Sequence, residues 1–195
     1  MISRIRGTLI ERSGETIEIE TASGVVYEIE VPTTVLQRIP ALGSELSIRT
    51  LHVVREESAS LYGFLEPYER ALFKRLLLAK GVGAKTALAM MSTYTAERLA
   101  RALAERDIAA LSRVSGIGKK TAERIVIDLA DRVKDLVGAA AGGEGATGGP
   151  AQGAIAALIA LGYDFAAADA AVRDALAEGE PESTDALIRR ALAGR

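Results

Sequence analysis

The 195-residue sequence contains no cysteine and no tryptophan, and its single histidine is His52. The absence of cysteine excludes disulfide bonds, cysteine-based zinc sites and thiol catalysis. Only 4% of the residues are aromatic while 49% are hydrophobic, so any core has to be aliphatic. No apolar run reaches the roughly 18 residues that cross a bilayer, and the basic start of the chain lacks the apolar segment of a signal peptide. These absences predict a soluble cytoplasmic protein without a membrane partner.

The formal net charge is −2, but charge is unevenly distributed along the chain. Residues 1–64 carry 6 basic and 9 acidic side chains, residues 65–138 carry 14 and 9, and residues 139–195 carry 4 and 8. Net positive charge is therefore confined to the middle of the chain. This distribution is expected of a protein that attracts phosphates at one place and avoids them elsewhere.

The first third of the chain has the pattern of a small β domain, residues 1–64. Short runs rich in Ile, Val, Thr and Tyr, several of them alternating polar and apolar, predict five strands over 2–10, 16–20, 25–31, 46–54 and 60–64. A short helix is predicted from Pro32 to Ile39. Five strands and one small helix favour an OB-like barrel, a fold that often binds nucleic acid but does not establish that function. His52 lies in a predicted strand and is interpreted as structural.

Helical spacing begins after Pro67 and predicts an all-α domain over residues 65–137. Its helices are predicted over 68–79, 85–91, 96–104, 107–113 and 121–137. In the last helix, Val126 and Ile127 widen the apolar stripe, so that it needs more than one packing partner. A subunit interface and closure of the domain's own core explain this equally well.

The remainder predicts a tether and a small helical module. Residues 138–150 are rich in glycine and alanine without periodicity, which predicts a flexible linker. Residues 151–195 contain three short amphipathic patterns over 154–161, 165–177 and 184–193, the third opened by the N-cap cluster Ser-Thr-Asp at 183–185. The chain as a whole is therefore predicted to be an α+β multidomain protein.

An internal repeat with a shift of 35 residues is the most informative feature. The segment LLLAKGVGAKTA at 76–87 aligns with LSRVSGIGKKTA at 111–122, and each copy has the helix-hairpin-helix pattern. Glycine permits a tight turn and a close approach, and the first turn of the second helix offers free N–H groups to a phosphate. Lysines there oppose the helix dipole, which is reasonable if an anion binds. The predicted DNA-binding residues are Gly81, Val82, Gly83, Lys85, Gly116, Ile117, Gly118, Lys119 and Lys120.

Other interpretations of these turns are weaker. A plain helix connection explains one copy, but not two copies followed by Lys-Thr-Ala within the only basic segment. A P-loop is excluded because Arg113 replaces its upstream glycine and Lys120 its Ser/Thr. No carboxylate cluster has metal-ligand spacing, so neither a catalytic residue nor a metal or cofactor is predicted. Contacts to phosphates alone give affinity without sequence preference.

Two adjacent carboxylates, Glu56 and Glu57, stand between two predicted strands and are explained from the residues alone as a solvated hairpin tip. The segments MISRIRG at 1–7, VVREE at 53–57, LYGF at 61–64, GVGAK at 81–85 and GIGKKTAER at 116–124 together resemble the RuvA family of Holliday-junction-binding proteins. The resemblance covers residues 1–137 and resumes at the C-terminal helices.

The resemblance implies a homotetramer or octamer that holds a four-way DNA junction open without sequence preference. It implies that Arg55, Glu56 and Glu57 form an acidic pin at the junction centre and that Arg124 joins the DNA-binding residues. It also implies a UBA-like C-terminal module that binds a RuvB-type ATPase, and a RuvC-type resolvase as a further partner. The residues implied to contact the ATPase are Leu158, Leu161, Gly162 and Tyr163, which could instead only pack the module's core.

Two other functions compete with this one. The chain could be an accessory subunit of a nuclease or repair enzyme that binds duplex through its hairpins, or a structural oligomer with incidental glycine turns. Preference for a junction over a duplex separates the junction-binding function from the accessory subunit, and salt-sensitive DNA binding counts against the structural oligomer.

Overall fold

A computed structural model of the chain describes residues 1–56, 58–137, 150–163, 165–177, 179 and 183–193. The chain divides into two compact units, residues 1–140 and 141–195. Glu57 and the predicted linker lie outside the described residues, except for Pro150, which is the first residue of a helix. The predicted α+β class is confirmed, since the first unit combines a closed β-barrel with helices and the second is helical where described.

Five strands close the barrel in the order β1-β2-β3-β5-β4, in which β3 and β5 are paired parallel and the other neighbours antiparallel. Alternation along the strands directs aliphatic side chains inward, among them Leu9, Ile17 and Ile48, each with no exposed surface. β1 pairs with both β2 and β4, and a methyl group added at Gly7 would lie 2.1 Å from the Glu20 carbonyl oxygen. The strands are β1 Arg4–Ser13, β2 Thr16–Glu20, β3 Val26–Glu30, β4 Glu45–Val54 and β5 Ala59–Phe64.

The helical part of the first unit is joined to the barrel through its first helix, α2 (Pro67–Leu76), which packs against β4 and β5. The Tyr62 and Phe64 rings of that strand lie 4.9 and 5.0 Å from the ring of Phe73. Arg70 adds a hydrogen bond from Nε to the carbonyl oxygen of Thr50 at 2.6 Å. The barrel therefore supplies part of the helical core, and the two predicted domains of this unit share buried residues. The helices are α1 Thr33–Leu36, between β3 and β4 in the chain, and α2 Pro67–Leu76, α3 Ala84–Thr93, α4 Ala96–Ala104, α5 Ile108–Leu111 and α6 Lys119–Leu129.

The prediction of one helix over residues 121–137 is wrong, because α6 ends at Leu129 and two 3-10 turns follow, Ala130–Arg132 and Lys134–Leu136. The guanidinium of Arg75 holds this segment. It donates to the Arg132 carbonyl oxygen at 2.5 Å and, through Nη2, to the Asp135 carboxylate at 2.7 Å. The tighter winding also keeps the apolar residues Val133 and Leu136 buried.

The second unit contains three helices in its described part, α7 Pro150–Ala160, α8 Phe165–Ala177 and α9 Thr184–Ala193. A methyl group added at Gly153 would lie 2.7 Å from Cγ2 of Thr184, so glycine allows α7 and α9 to approach closely. The predicted cap is present, because the Ser183 hydroxyl accepts a hydrogen bond from the Ala186 N–H at 3.2 Å. Across both units, none of the helices that can be described is long and apolar enough to cross a membrane.

Candidate nucleic-acid interface

The two hairpins predicted from the repeat have the same geometry. Gly81 and Gly116 adopt φ of +86° and +83°, a left-handed conformation that side chains disfavour. The next residue in each turn, Val82 or Ile117, is buried, and its N–H donates to a carbonyl oxygen three residues earlier, at 3.1 and 3.0 Å respectively. The first glycine and the apolar residue of each hairpin are therefore explained by folding. Val82 and Ile117 position the turn and present no side chain to a ligand.

The second glycine of each hairpin is not explained by folding. Gly83 and Gly118 have φ of −87° and −81° with extended ψ, which any residue can adopt. In the part of the chain that the structure describes, a methyl group added at Gly118 would have no neighbour within 4 Å, and one at Gly83 only Nη2 of Arg55 at 3.9 Å. Neither backbone conformation nor packing requires glycine at these positions. What the missing side chains leave behind is open surface at the start of a helix.

These two helix starts are also left without caps. Gly83 and Gly118 are the N-cap residues of α3 and α6; neither helix is capped by a side chain of the described residues or has an acidic residue in its first turn. The other helices around the hairpins are capped, α2 by a capping box and α4 and α5 by the side chains of Thr95 and Asp107. Among the described residues, the first-turn N–H groups of α3 and α6 therefore lack a side-chain cap and lie next to the open surface at the two glycines, which is the arrangement that binds a phosphate oxygen.

The cations predicted at the interface are all exposed. Lys119 and Lys120 open α6, and Lys85 is the second residue of α3. Arg124 lies farther along α6, and its Nη2 comes within 3.8 Å of a methyl group added at Gly81. Its guanidinium is therefore beside the first hairpin, although its place in the sequence associates it with the second.

Two of the three residues predicted to form the acidic pin, Arg55 and Glu56, lie in the described part of the chain. Glu56 is exposed between β4 and β5, and the turn is closed by a hydrogen bond from the Arg55 N–H to the Ser58 carbonyl oxygen at 2.7 Å. The Arg55 guanidinium lies beside Gly83, on the first hairpin. Burial raises the pKa of Tyr62, and the positive charge of Arg55 partly opposes this rise. The structure therefore brings Arg55 to the hairpin, whereas the other predicted pin residue, Glu57, lies outside the described part of the chain.

Sequence reasoning missed Asp128, whose Oδ2 accepts a hydrogen bond from the Lys80 N–H at 2.9 Å. This contact ties the loop of the first hairpin to α6, the second helix of the other hairpin. Lys80 and Asp128 are 48 residues apart in the sequence, so no local pattern predicts this hydrogen bond. Ile127 beside it is 75% exposed, whereas Val126 is buried at 3%. Of the two residues predicted to widen the apolar stripe, only Ile127 reaches the surface.

The four residues predicted to contact an ATPase differ in exposure. Leu158 is 1% exposed and packs inside the core of the second unit, so its side chain offers no contact to a partner. Tyr163 is half-buried against the same core, whereas Leu161 is 63% exposed and Gly162 is exposed with φ of +99°. In the part of the chain that can be described, no group of three His, Asp or Glu side chains could hold a metal ion.

Comparison with protein families gives three matches that together span most of the chain. The model described as RuvA N terminal domain matches residues 1–63, the SAM-like Helix-hairpin-helix tandem matches residues 73–131, and the RuvA, C-terminal domain matches residues 151–194. The second match covers both hairpins.

Curated proteins with the description Holliday junction branch migration complex subunit RuvA are similar over the full length. The protein from Gemmatimonas aurantiaca is 45% identical over 192 residues, covering 98% of this chain and 97% of its own. That from Pseudomonas syringae pv. syringae is 42% identical, covering 100% and 99%. That from Shewanella halifaxensis is 40% identical, covering 98% of each.

Proposed function

We propose that this chain, which belongs to the RuvA family, is the non-catalytic scaffold of a branch migration complex in the cytoplasm. In this function it binds four-way DNA junctions without sequence preference and holds them open. A separate RuvB-type ATPase supplies the energy for branch migration in recombination and repair, and a RuvC-type resolvase acts on the same junction.

The main observation that supports DNA binding is that α3 and α6, which begin after Gly83 and Gly118, have no side-chain cap among the described residues. Both glycines leave open surface that neither packing nor backbone conformation requires. Backbone N–H groups, the helix dipole and exposed lysines together favour a phosphate at each site. Because these groups contact phosphates and not base edges, the predicted binding is independent of sequence and weakens with salt.

The hairpin tip between β4 and β5 supports the preference for a junction. Glu56 projects into solvent there, next in sequence to Arg55, whose guanidinium lies on the first hairpin. A carboxylate close to converging phosphates repels them, and more strongly where water is excluded. Attraction along the duplex arms and repulsion at their meeting point would together favour an open four-way junction over a plain duplex.

Partner recruitment is assigned to the second unit. Residues 139–195 carry 4 basic and 8 acidic side chains, which opposes DNA binding and suits a protein partner. Leu161 is an exposed apolar side chain at the end of α7 and is the strongest candidate contact. The exposed Leu78 and Ile127 of the first unit suit contacts between copies in a tetramer or octamer.

The test is a salt titration that compares the binding of the full-length protein to a synthetic four-way junction and to a linear duplex of matched arm length. Tighter junction binding, with a steep salt dependence on both DNAs, is expected. Equal affinity for both would refute junction recognition while leaving the hairpins as phosphate-binding sites. Binding that does not change with salt would refute the phosphate sites themselves.

A further inference from the structure

The two hairpins differ in the positive charge that they supply themselves. At the shift of 35 residues, Lys120 of the second hairpin corresponds to Lys85 of the first, but Lys119 corresponds to Ala84. Ala84 is 2% exposed and belongs to the core, so a lysine at this position would force a longer, charged side chain into packed surroundings. Its own sequence therefore gives the first hairpin one lysine at the helix start, where the second has two.

Two arginines from other elements reach the first hairpin. Arg124 comes from α6, and its Nη2 lies 3.8 Å from a methyl group added at Gly81. Arg55 comes from the end of β4, and its Nη2 lies 3.9 Å from a methyl group added at Gly83. The two guanidinium groups thus stand beside the two glycines of one turn. Around Gly116 and Gly118 of the second hairpin, no side chain of the described residues comes within 4 Å of such a methyl group.

Neither arginine is engaged in holding the fold together. Both side chains are exposed, and among the described residues neither guanidinium makes a hydrogen bond or an ion pair. Arg75 shows the contrast, because its guanidinium donates to a carbonyl oxygen and a carboxylate. A guanidinium offers several N–H donors in a plane that matches a phosphate, so two of them beside an open turn form a suitable phosphate site.

The fold also fixes where these arginines stand. The Asp128 carboxylate, one turn beyond Arg124 on α6, accepts the hydrogen bond from the Lys80 N–H that anchors the loop of the first hairpin. Arg124 is therefore held on the same helix that positions the loop. Arg55 is held by the backbone hydrogen bond that closes the turn of the barrel hairpin.

We propose that Arg55 and Arg124 complete the phosphate site of the first hairpin, which is a composite of the barrel, the first hairpin and α6. This inference rests on the proposed DNA binding and goes beyond it. It assigns Arg124 to the phosphate site of the first hairpin instead of the second, and it assigns Arg55 to that first-hairpin site instead of to the pin. One phosphate would then contact the barrel, the first hairpin and α6. Binding of the duplex arm at this hairpin would therefore be coupled to the base of the pin.

Double-mutant cycles on duplex binding by the full-length protein test the assignment of Arg124. Arg124→Ala is expected to weaken binding by about tenfold, the effect of removing a charge-assisted hydrogen bond. If it acts at the first hairpin, its effect is smaller in a Lys85→Ala background, where that site is already weakened, and undiminished in a Lys120→Ala background. Coupling to Lys120 and not to Lys85, by more than about twofold, would overturn the assignment.

The test of Arg55 is the salt dependence of the same binding reaction. Arg55→Ala should reduce the slope of log K against log salt by about 0.9 for each bound subunit, and Arg55→Lys should restore it because the charge is kept. Arg6→Ala is the matched control, since it removes one positive charge from the barrel at a residue paired with Glu45. An equal change in slope for Arg6→Ala and Arg55→Ala would show a net-charge effect and refute the contact.

The failure of this inference is distinguishable from failure of the proposed function. If the unmodified protein binds DNA without salt dependence, the hairpin sites fail as a whole. If it binds with salt dependence and the Lys85 and Lys120 variants are weakened, but Arg55→Ala and Arg124→Ala are not, only the composite site fails. Thermal unfolding of each variant checks that the fold is kept, as expected for exposed side chains.

Discussion

Substitution of Gly118 separates the binding of DNA from the stability of the fold. In Gly118→Ala, the added methyl group meets no atom of the described residues within 4 Å, and the φ of −81° is normal for alanine. Alanine is a poorer N-cap residue than glycine, which destabilises the fold. It also lowers the conformational entropy of the unfolded chain, which stabilises the fold by about 0.4–1 kcal/mol, so the two effects oppose each other. We expect a change in the free energy of unfolding of less than about 1 kcal/mol.

The effect on DNA binding should be much larger. The methyl group stands at the start of α6, where a phosphate would approach the N–H groups of the first turn. Loss of one hydrogen bond to a charged acceptor costs about 1.5–3 kcal/mol, which is roughly a 10- to 150-fold loss of affinity. Gly118→Ser sharpens the test. Its hydroxyl can cap the same N–H groups, so it should stabilise the fold by a few tenths of a kcal/mol while still weakening DNA binding.

The assay combines thermal unfolding with titration of a fluorescent duplex at two salt concentrations. Gly116→Ala is the control, because φ there is +83° and a side chain costs about 1–2 kcal/mol of stability. The expected pattern is a lowered unfolding temperature for Gly116→Ala and weakened DNA binding at nearly unchanged stability for Gly118→Ala. If Gly118→Ala and Gly118→Ser both bind DNA as the unmodified protein does, the N-terminus of α6 is not a phosphate site.

Three further predictions concern other parts of the chain. Glu56→Gln combined with Glu57→Gln should reduce the ratio of junction to duplex affinity without changing the unfolding temperature; an unchanged ratio and an unchanged migration rate would contradict the pin. Hydrogen bonds from Arg75 hold the pKa of Asp135 below its usual range, so this pair stabilises the fold above about pH 4 and the stabilisation is lost as the pH falls further. Asp135→Asn should therefore lower the free energy of unfolding by up to about 1 kcal/mol at neutral pH. It should also reduce the fall of the unfolding temperature as the pH is lowered below about 4, and an unchanged fall would contradict this. Leu161→Asp should abolish binding of a RuvB-type ATPase in a pull-down assay while DNA binding and helicity persist; a retained ATPase would exclude this contact.

Elements with strong local signals were predicted well from the sequence. The strand Thr16–Glu20 and the helix Ala96–Ala104 have the predicted bounds, the first because of strict alternation and the second because Thr95 caps it and polar residues end it. The prediction for α5 was too long, since Asp107 is its cap and the chain turns toward the second hairpin after Leu111. The prediction for residues 121–137 was wrong because the segment is shaped by Arg75, whose position in α2 no local pattern relates to it.

The candidate site shows a similar division. The repeat predicted both turns because a positive φ and a buried apolar residue leave a pattern in the sequence. It could not distinguish the two glycines of a turn, since only the structure shows that Gly81 is needed for its backbone and that Gly83 is not. The open surface at Gly83 is a property of what lies around it in space.

The position of Arg124 shows that a motif in the sequence does not fix which hairpin a side chain lies beside. The motif ends GKKTAER, which assigns the arginine to the second hairpin together with Lys119 and Lys120. At about 1.5 Å per residue, however, five residues carry the chain about 7.5 Å along α6. Because the loop of the first hairpin is hydrogen-bonded to α6 through Asp128, that distance is sufficient to bring the guanidinium to Gly81 of the other turn. A repeat thus predicts what each copy contains, while the packing of the copies decides which phosphate each side chain can reach.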